Sequence, residues 1–133
     1  MTPVFADSFY YLALMNPDDD DHHRALELSD SLWQPVVTTV WVLTEVGDAH
    51  AGPALRPNFL RLLKLLRTDP TCTILPPSPE LFEAGVKLFS DRPDKSWPLT
   101  DCISFAAMSQ VGITEALTDD HHFEQAGFRT LFL

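Results

Sequence analysis

The chain has 133 residues, of which 45% are hydrophobic, with 19 acidic against 9 basic residues and a formal net charge of −10. That length suits one domain over residues 1–133, large enough to hold a core without disulfides or a structural metal. So acidic a surface repels nucleic acid at long range, which argues against a general DNA or RNA coat protein but not against an enzyme that meets phosphates through a metal ion.

From the N-terminus, MTPVFADSFYYLALMNPDDDD has no basic n-region and carries an acid at Asp7, so it reads as folded protein and not as a signal peptide. Its short apolar run stops at Asp7 and suits a buried first strand, and SFYYLALMN starts a helix with Ser8 near its beginning. NPDDDDHHRALELSDSLW opens a second helix, with Asp18, Asp19, Asp20 and Asp21 crowded into its first turn, where the helix dipole favours negative charge. A calcium loop would need acids at alternating positions and a glycine, and neither is present. Val36 to Thr38 is a second strand, Thr39 an N-cap, and the helix that follows carries Trp41, Val42 and Glu45. PALRPNFLRLLKLLRTDP is amphipathic. Leu55, Phe59, Leu62, Leu63 and Leu66 fall on one face, with Arg56, Arg61, Lys64 and Arg67 on the flank beside it.

Cys72 to Leu75 reads as a third short strand. Cys72 and Cys102 show neither C-x-x-C nor zinc-type spacing, and they suit small buried residues in a reducing, cytoplasmic setting. Ser78 caps the next helix, in which Leu81, Ala84, Val86, Leu88 and Phe89 recur. Another helix starts at Thr100 and ends on Gly112 as its C-cap. EALT is a fourth strand and RTLFL a fifth. Strands that alternate with helices in this way predict an α/β sandwich around a mainly parallel sheet. No apolar run approaches the roughly 20 residues of a membrane span. Trp33, Trp41, Trp97 and the apolar residues Phe9 to Leu14 suit core or interface positions.

Open parallel sheets bind ligands beyond the carboxyl ends of their strands. Asp7 ends the first strand, and Asp119 and Asp120 end the fourth. Asp101 sits in the first turn of a helix, and Glu45 lies about two turns into the helix that leaves the second strand. Gathered carboxylates raise one another's pKa unless a cation neutralises them. Oxygen-only ligands select a hard divalent ion such as Mg²⁺ or Mn²⁺, which suits a nuclease or a phosphatase. An aspartate-nucleophile phosphatase would need a second acid at position 9, which is Phe9, and a receiver would need its acceptor after the third strand, where Pro76 and Pro77 stand. His121 and His122 are adjacent, so their side chains are expected to diverge, and no zinc-type spacing accompanies them. They read as a polar helix start, as His22 and His23 do. The basic flank is either a solvated face or a phosphate contact through Arg61 and Lys64.

VFADSFYYLALMN, DDHHRA, TTVWVLTEV, LTDCISFAAM and ALTDDHHFEQAGF followed by RTLFL, in this order, resemble the PIN-domain proteins, and among them the small VapC-type ribonuclease toxins, over essentially the whole chain. The resemblance implies a three-layer α/β/α sandwich with a mainly parallel five-stranded sheet, and metal-dependent endoribonuclease activity. It implies that Asp7 and Asp101 hold Mg²⁺ (or Mn²⁺), that Glu45 helps position the metal or the attacking water, and that Asp120 is the fourth acid. Asp119 beside it leaves that last assignment open between the two. Ser8 would support the first acid or a bound water, and one histidine and Phe123 would be structural. The resemblance further implies an RNA substrate, a homodimer, and a small antitoxin whose inserted peptide would offer an arginine to the acidic groove. These toxins often carry a more basic surface near the groove than this chain does. The alternative from another class is a non-catalytic binding or regulatory module that keeps the fold and loses the metal.

Overall fold

Val4, Phe5 and Ala6 are fully buried and form β1 (Val4–Ala6) in the middle of the sheet. The computed structural model describes residues 2–132. In chain order β1 is followed by α1 (Ser8–Met15), α2 (His22–Ser31), β2 (Val36–Thr39), α3 (Val40–Ala49), α4 (Arg56–Thr68) and β3 (Cys72–Leu75). Then come α5 (Pro79–Asp91), α6 (Leu99–Val111), β4 (Glu115–Leu117), α7 (His121–Gln125) and β5 (Arg129–Thr130). Among the described residues the five strands form one sheet in the order β3-β2-β1-β4-β5, every pair parallel. Phe5 registers with Val37 on one side and Ala116 on the other. The chain runs outward from β1 through β2 to β3, then returns to β4 on the other side of β1. The winding direction therefore reverses between β1 and β4, and sheets wound this way form their ligand crevice beyond the carboxyl ends of those two strands. The expected α/β/α arrangement with a parallel five-stranded sheet is the one observed.

Local chemistry sets most element ends. Thr39 Oγ1 accepts the Val42 amide at 3.1 Å and starts α3, and Ser78 Oγ accepts the Leu81 amide at 3.1 Å and starts α5. Such caps are each worth about 1 kcal/mol. Gly112 ends α6 in the left-handed conformation, at φ 82°, which glycine adopts without a Cβ clash. α6 is the central helix: Asp101 to Phe105, Ala107 and Met108 are all buried. Phe105 stands edge-on to Phe123 at 4.9 Å and to Trp97 at 5.1 Å between ring centroids. Gly85 is buried where α5 lies against Ile103 of α6.

Three expectations change. Asp18 to Asp21 lie before α2, not in its first turn, and the helix begins at His22. The Asp18 amide donates to Asn16 Oδ1 at 3.0 Å and the Asp21 amide to Asp19 Oδ1 at 2.8 Å, so side-chain oxygens hold these amides in turns. Leu55 precedes α4 and is exposed, as are Leu60 and Leu65, whereas Phe59, Leu62, Leu63 and Leu66 do pack against the core. The fifth strand is only Arg129–Thr130. The Leu131 amide still donates to the Ala116 carbonyl of β4 at 3.0 Å, but Phe132 turns away, edge-on to Phe9 at 4.9 Å, and Leu133 of RTLFL lies outside the described residues, as does Met1 of the N-terminal stretch. Of the tryptophans, Trp97 is buried, Trp41 half-buried and Trp33 exposed. Among the described residues no helix is long and apolar enough to cross a membrane.

Candidate active site

β1 ends at Ala6, and the chain leaves it in an extended step at Asp7 before α1 begins. Asp7 occupies the N-cap position, yet its side chain makes no cap hydrogen bond. It is buried instead at the crevice, where its Oδ2 accepts the Thr118 hydroxyl at 2.9 Å. Thr118, directly after β4, uses the same oxygen to accept the Asp120 amide at 3.1 Å. One hydroxyl thus ties the end of β1 to the end of β4 and sets the turn that follows. Asp120 then caps α7 by accepting the His122 amide on Oδ1 at 2.9 Å. Asp119 points elsewhere: it is exposed, and its charge acts on Asp21. Of the two aspartates, Asp120 is the one that caps α7.

Asp101 reaches the same place from the first turn of α6, where it is buried. Its Oδ2 lies 3.1 Å from His122 Nδ1, which is also 3.3 Å from Asp120 Oδ1. Glu45 arrives half-buried from α3, near enough to the Ser8 hydroxyl for that group to favour its ionised form. Four carboxylates from separate segments are therefore linked electrostatically: Asp7 feels Asp101 and Glu45, Glu45 feels Asp101 and Asp120, and Asp101 feels Asp120.

Their titration records the crowding. Burial above all, then the Asp101 and Glu45 charges, pushes the Asp7 carboxyl up to about 7, against the pull of the Thr118 hydroxyl and the Ser8 amide. Burial and then the charges of Asp101, Asp120 and Asp48 raise Glu45, against the Ser8 hydroxyl. Burial and then Asp120 raise Asp101, while His122 lowers it. Among the described residues the nitrogen-bearing side chains within ion-pair reach of these acids are the imidazoles of His121 and His122, not lysine or arginine. The donor set is oxygen-rich, multiply acidic and short of positive charge. It fits a hard divalent cation of the Mg²⁺ or Mn²⁺ kind, with Asp7 and Asp101 as its most buried oxygen donors.

The histidine expectation needs correcting. His121 and His122 do not diverge: their ring centroids are 4.5 Å apart, and ligand atoms of Asp120, His121 and His122 all lie within 4.8 Å of one another. Side chains in a first helical turn lean back toward the N-terminus, so both rings fold over the capping aspartate. His122 belongs to the acid cluster, and its one signal in the sequence is its place two residues after the capping acid. Thr118, the partner of Asp7, is likewise not singled out by the sequence. The basic flank does not join the cluster as a unit. Arg56 and Arg67 line grooves between α3 and α4. Arg61 and Lys64 are exposed, and Arg61 donates to Asn58 Oδ1.

No family model matches the chain, and no curated protein matches it. Solved structures do. The crystal structure of Mycobacterium tuberculosis VapC20, a Sarcin-Ricin loop cleaving toxin, superposes with a TM-score of 0.85 at 24% identity, over 94% of this chain and 95% of that one. FitAcB from Neisseria gonorrhoeae gives 0.71 at 18% identity, over 96% and 95%. A toxin–antitoxin complex from Klebsiella pneumoniae gives 0.65 at 15% identity, over 89% and 87%. The parallel sheet, its flanking helices and the crevice between β1 and β4 are thus the PIN-like α/β/α fold of the VapC-type toxins.

Proposed function

We propose that the chain is a metal-dependent endoribonuclease that hydrolyses RNA phosphodiester bonds, and the toxin of a type II toxin–antitoxin pair. The observation that carries this reading is the meeting of Asp7, Glu45, Asp101 and Asp120 at the crevice, with no lysine or arginine among the described residues in ion-pair reach of them. The VapC20 toxin is named for cleaving an RNA loop, which supports RNA as the substrate class, and the Klebsiella complex supports a small antitoxin as partner.

Mg²⁺ or Mn²⁺ held by Asp7 and Asp101 would polarise a phosphoryl oxygen and ease ionisation of the attacking water. The chain's own residues do the rest. Thr118 fixes the Asp7 carboxylate before substrate arrives. Glu45, raised by its surroundings and open to the groove, accepts a proton from the attacking water, and the Ser8 hydroxyl orients it. His122 holds Asp101 and Asp120 together against their repulsion. Arg61 and Lys64 meet the RNA backbone. The same acidic groove would accept an arginine from the antitoxin, and the protein acts in the cytoplasm as a homodimer.

Asp7→Asn and Asp101→Asn should each abolish RNA cleavage in Mg²⁺ buffer while leaving the circular dichroism spectrum of the purified protein unchanged. Cleavage at the wild-type rate by either variant would sink the assignment. A non-catalytic module would instead show no specific heat when titrated with Mn²⁺.

A further inference from the structure

Beside the oxygen-only set stands a second donor set of different character. His121 Nδ1 lies 3.8 Å and His122 Nδ1 3.3 Å from the same Asp120 Oδ1, and His122 Nδ1 lies 3.1 Å from Asp101 Oδ2. A tetrahedral ion bound at about 2.0–2.1 Å separates its ligand atoms by roughly 3.3 Å, so these spacings need little adjustment. His122 is largely buried, and its backbone N–H donates a hydrogen bond to Asp120 Oδ1, whereas His121 is mostly exposed and free to close the last half ångström. With its proton on Nε2, each ring would turn a lone pair toward the place where Nδ1 now faces carboxylate. Two imidazoles with one or two carboxylates suit borderline ions of the zinc class, not Mg²⁺.

We propose that Asp120, His121 and His122, with Asp101 at the edge, form a second, overlapping site for a zinc-class divalent ion. The site goes beyond the proposed nuclease reading and depends on it in one consequence only. Asp101 and Asp120 belong to both donor sets, so a zinc-class ion would compete with Mg²⁺ and hold the nuclease inactive.

Tag-free, full-length protein titrated with Co²⁺, a coloured stand-in for Zn²⁺, tests the site without any activity assay. The wild type should take up one ion with the intense visible bands of a low-coordinate nitrogen-containing site, displaced by Zn²⁺ but not by equimolar Mg²⁺. His121→Ala, a change at an exposed side chain, should weaken Co²⁺ binding by at least about tenfold, because loss of even a neighbour that only orients a ligand costs that much. Asp7→Asn should keep both bands and affinity. The proposal is overturned if His121→Ala binds Co²⁺ as the wild type does, or if Asp7→Asn loses the bands, which would place the ion among the oxygens. Absence of RNA cleavage with the Co²⁺ behaviour intact would reject the nuclease reading alone.

Discussion

Burial and the charges of Asp101 and Glu45 lift the Asp7 carboxyl from 3.8 to about 7, and this makes the residue a burden on the metal-free fold. Below about pH 4 the folded and unfolded chains both hold the proton, and the group costs nothing. As pH rises the unfolded chain ionises first, so the folded state binds the extra proton and stability falls. Above about pH 7 the whole penalty is in place, at most roughly 4 kcal/mol. An asparagine in its place would keep the shape and carry no charge, so Asp7→Asn should melt several degrees above the wild type at about pH 8 in EDTA, with the gap closing toward pH 4. Added Mg²⁺ should raise the wild-type midpoint and leave the variant's unchanged, because a bound ion stabilises only the form that binds it. Thermal unfolding across that pH range reads both effects, and a wild type more stable than the variant at pH 8 without metal would contradict the burden assigned to Asp7. The residue proposed as most necessary for cleavage is thus also one that the apo fold would be steadier without.

The packing of α5 on α6 carries the same tension at the level of elements, since α6 delivers Asp101. A Cβ placed on Gly85 would lie 2.9 Å from the Ile103 Cα and 3.1 Å from its backbone nitrogen, and would overlap the Ile103 side chain. Alanine gains up to about 1 kcal/mol of helix propensity over glycine, but helix backbone cannot yield as a flexible side chain can, and overpacking costs about 1–3 kcal/mol. The clash should win, so Gly85→Ala is expected to lower the melting midpoint by several degrees. It should also reduce cleavage, because Ile103 sits two residues after Asp101. A midpoint equal to or above the wild type would show that α5 can step aside freely. Such close approaches are long-range facts, and they mark where the sequence stops being readable. Thr39, Ser78 and Gly112 can be assigned from single residues because capping is local chemistry. Asp7 and Asp120 can be grouped because a parallel sheet delivers strand ends to one edge, and Glu45 and Asp101 join them because α3 and α6 begin near that edge. The run Asp18 to Asp21 is ambiguous because aspartate favours both a helix start and a turn, and only the turn hydrogen bonds to Asn16 and Asp19 decide between them. His122 escapes because its place depends on how α7 approaches α6, and the end of β5 escapes because Phe132 leaves the sheet for Phe9.

For the whole molecule the difficulty is charge: a body of net −10 must meet a polyanion if it is to cut RNA. At physiological salt the screening length is about 8 Å, so the repulsion weakens within a few atomic diameters and local contacts govern the final approach. Four of the nine basic residues lie on α4. Arg56 donates to the Ala51 carbonyl at 2.7 Å and, with Arg67, borders the grooves toward α3, which leaves Arg61 and Lys64 as the pair turned fully to solvent. If the RNA backbone crosses this helix, reversing both charges in an Arg61→Glu, Lys64→Glu variant should raise KM for RNA about tenfold at low salt. The value of kcat should hold, because neither side chain reaches the acid cluster, and the melting midpoint should hold, because both are exposed. The KM gap should shrink as NaCl is added, since each lost phosphate contact also removes part of the salt dependence. A KM series over salt that superposes on the wild type would take α4 out of the RNA path. The helix would then be a solvated cover whose long basic stems shield Leu62, Leu63 and Leu66.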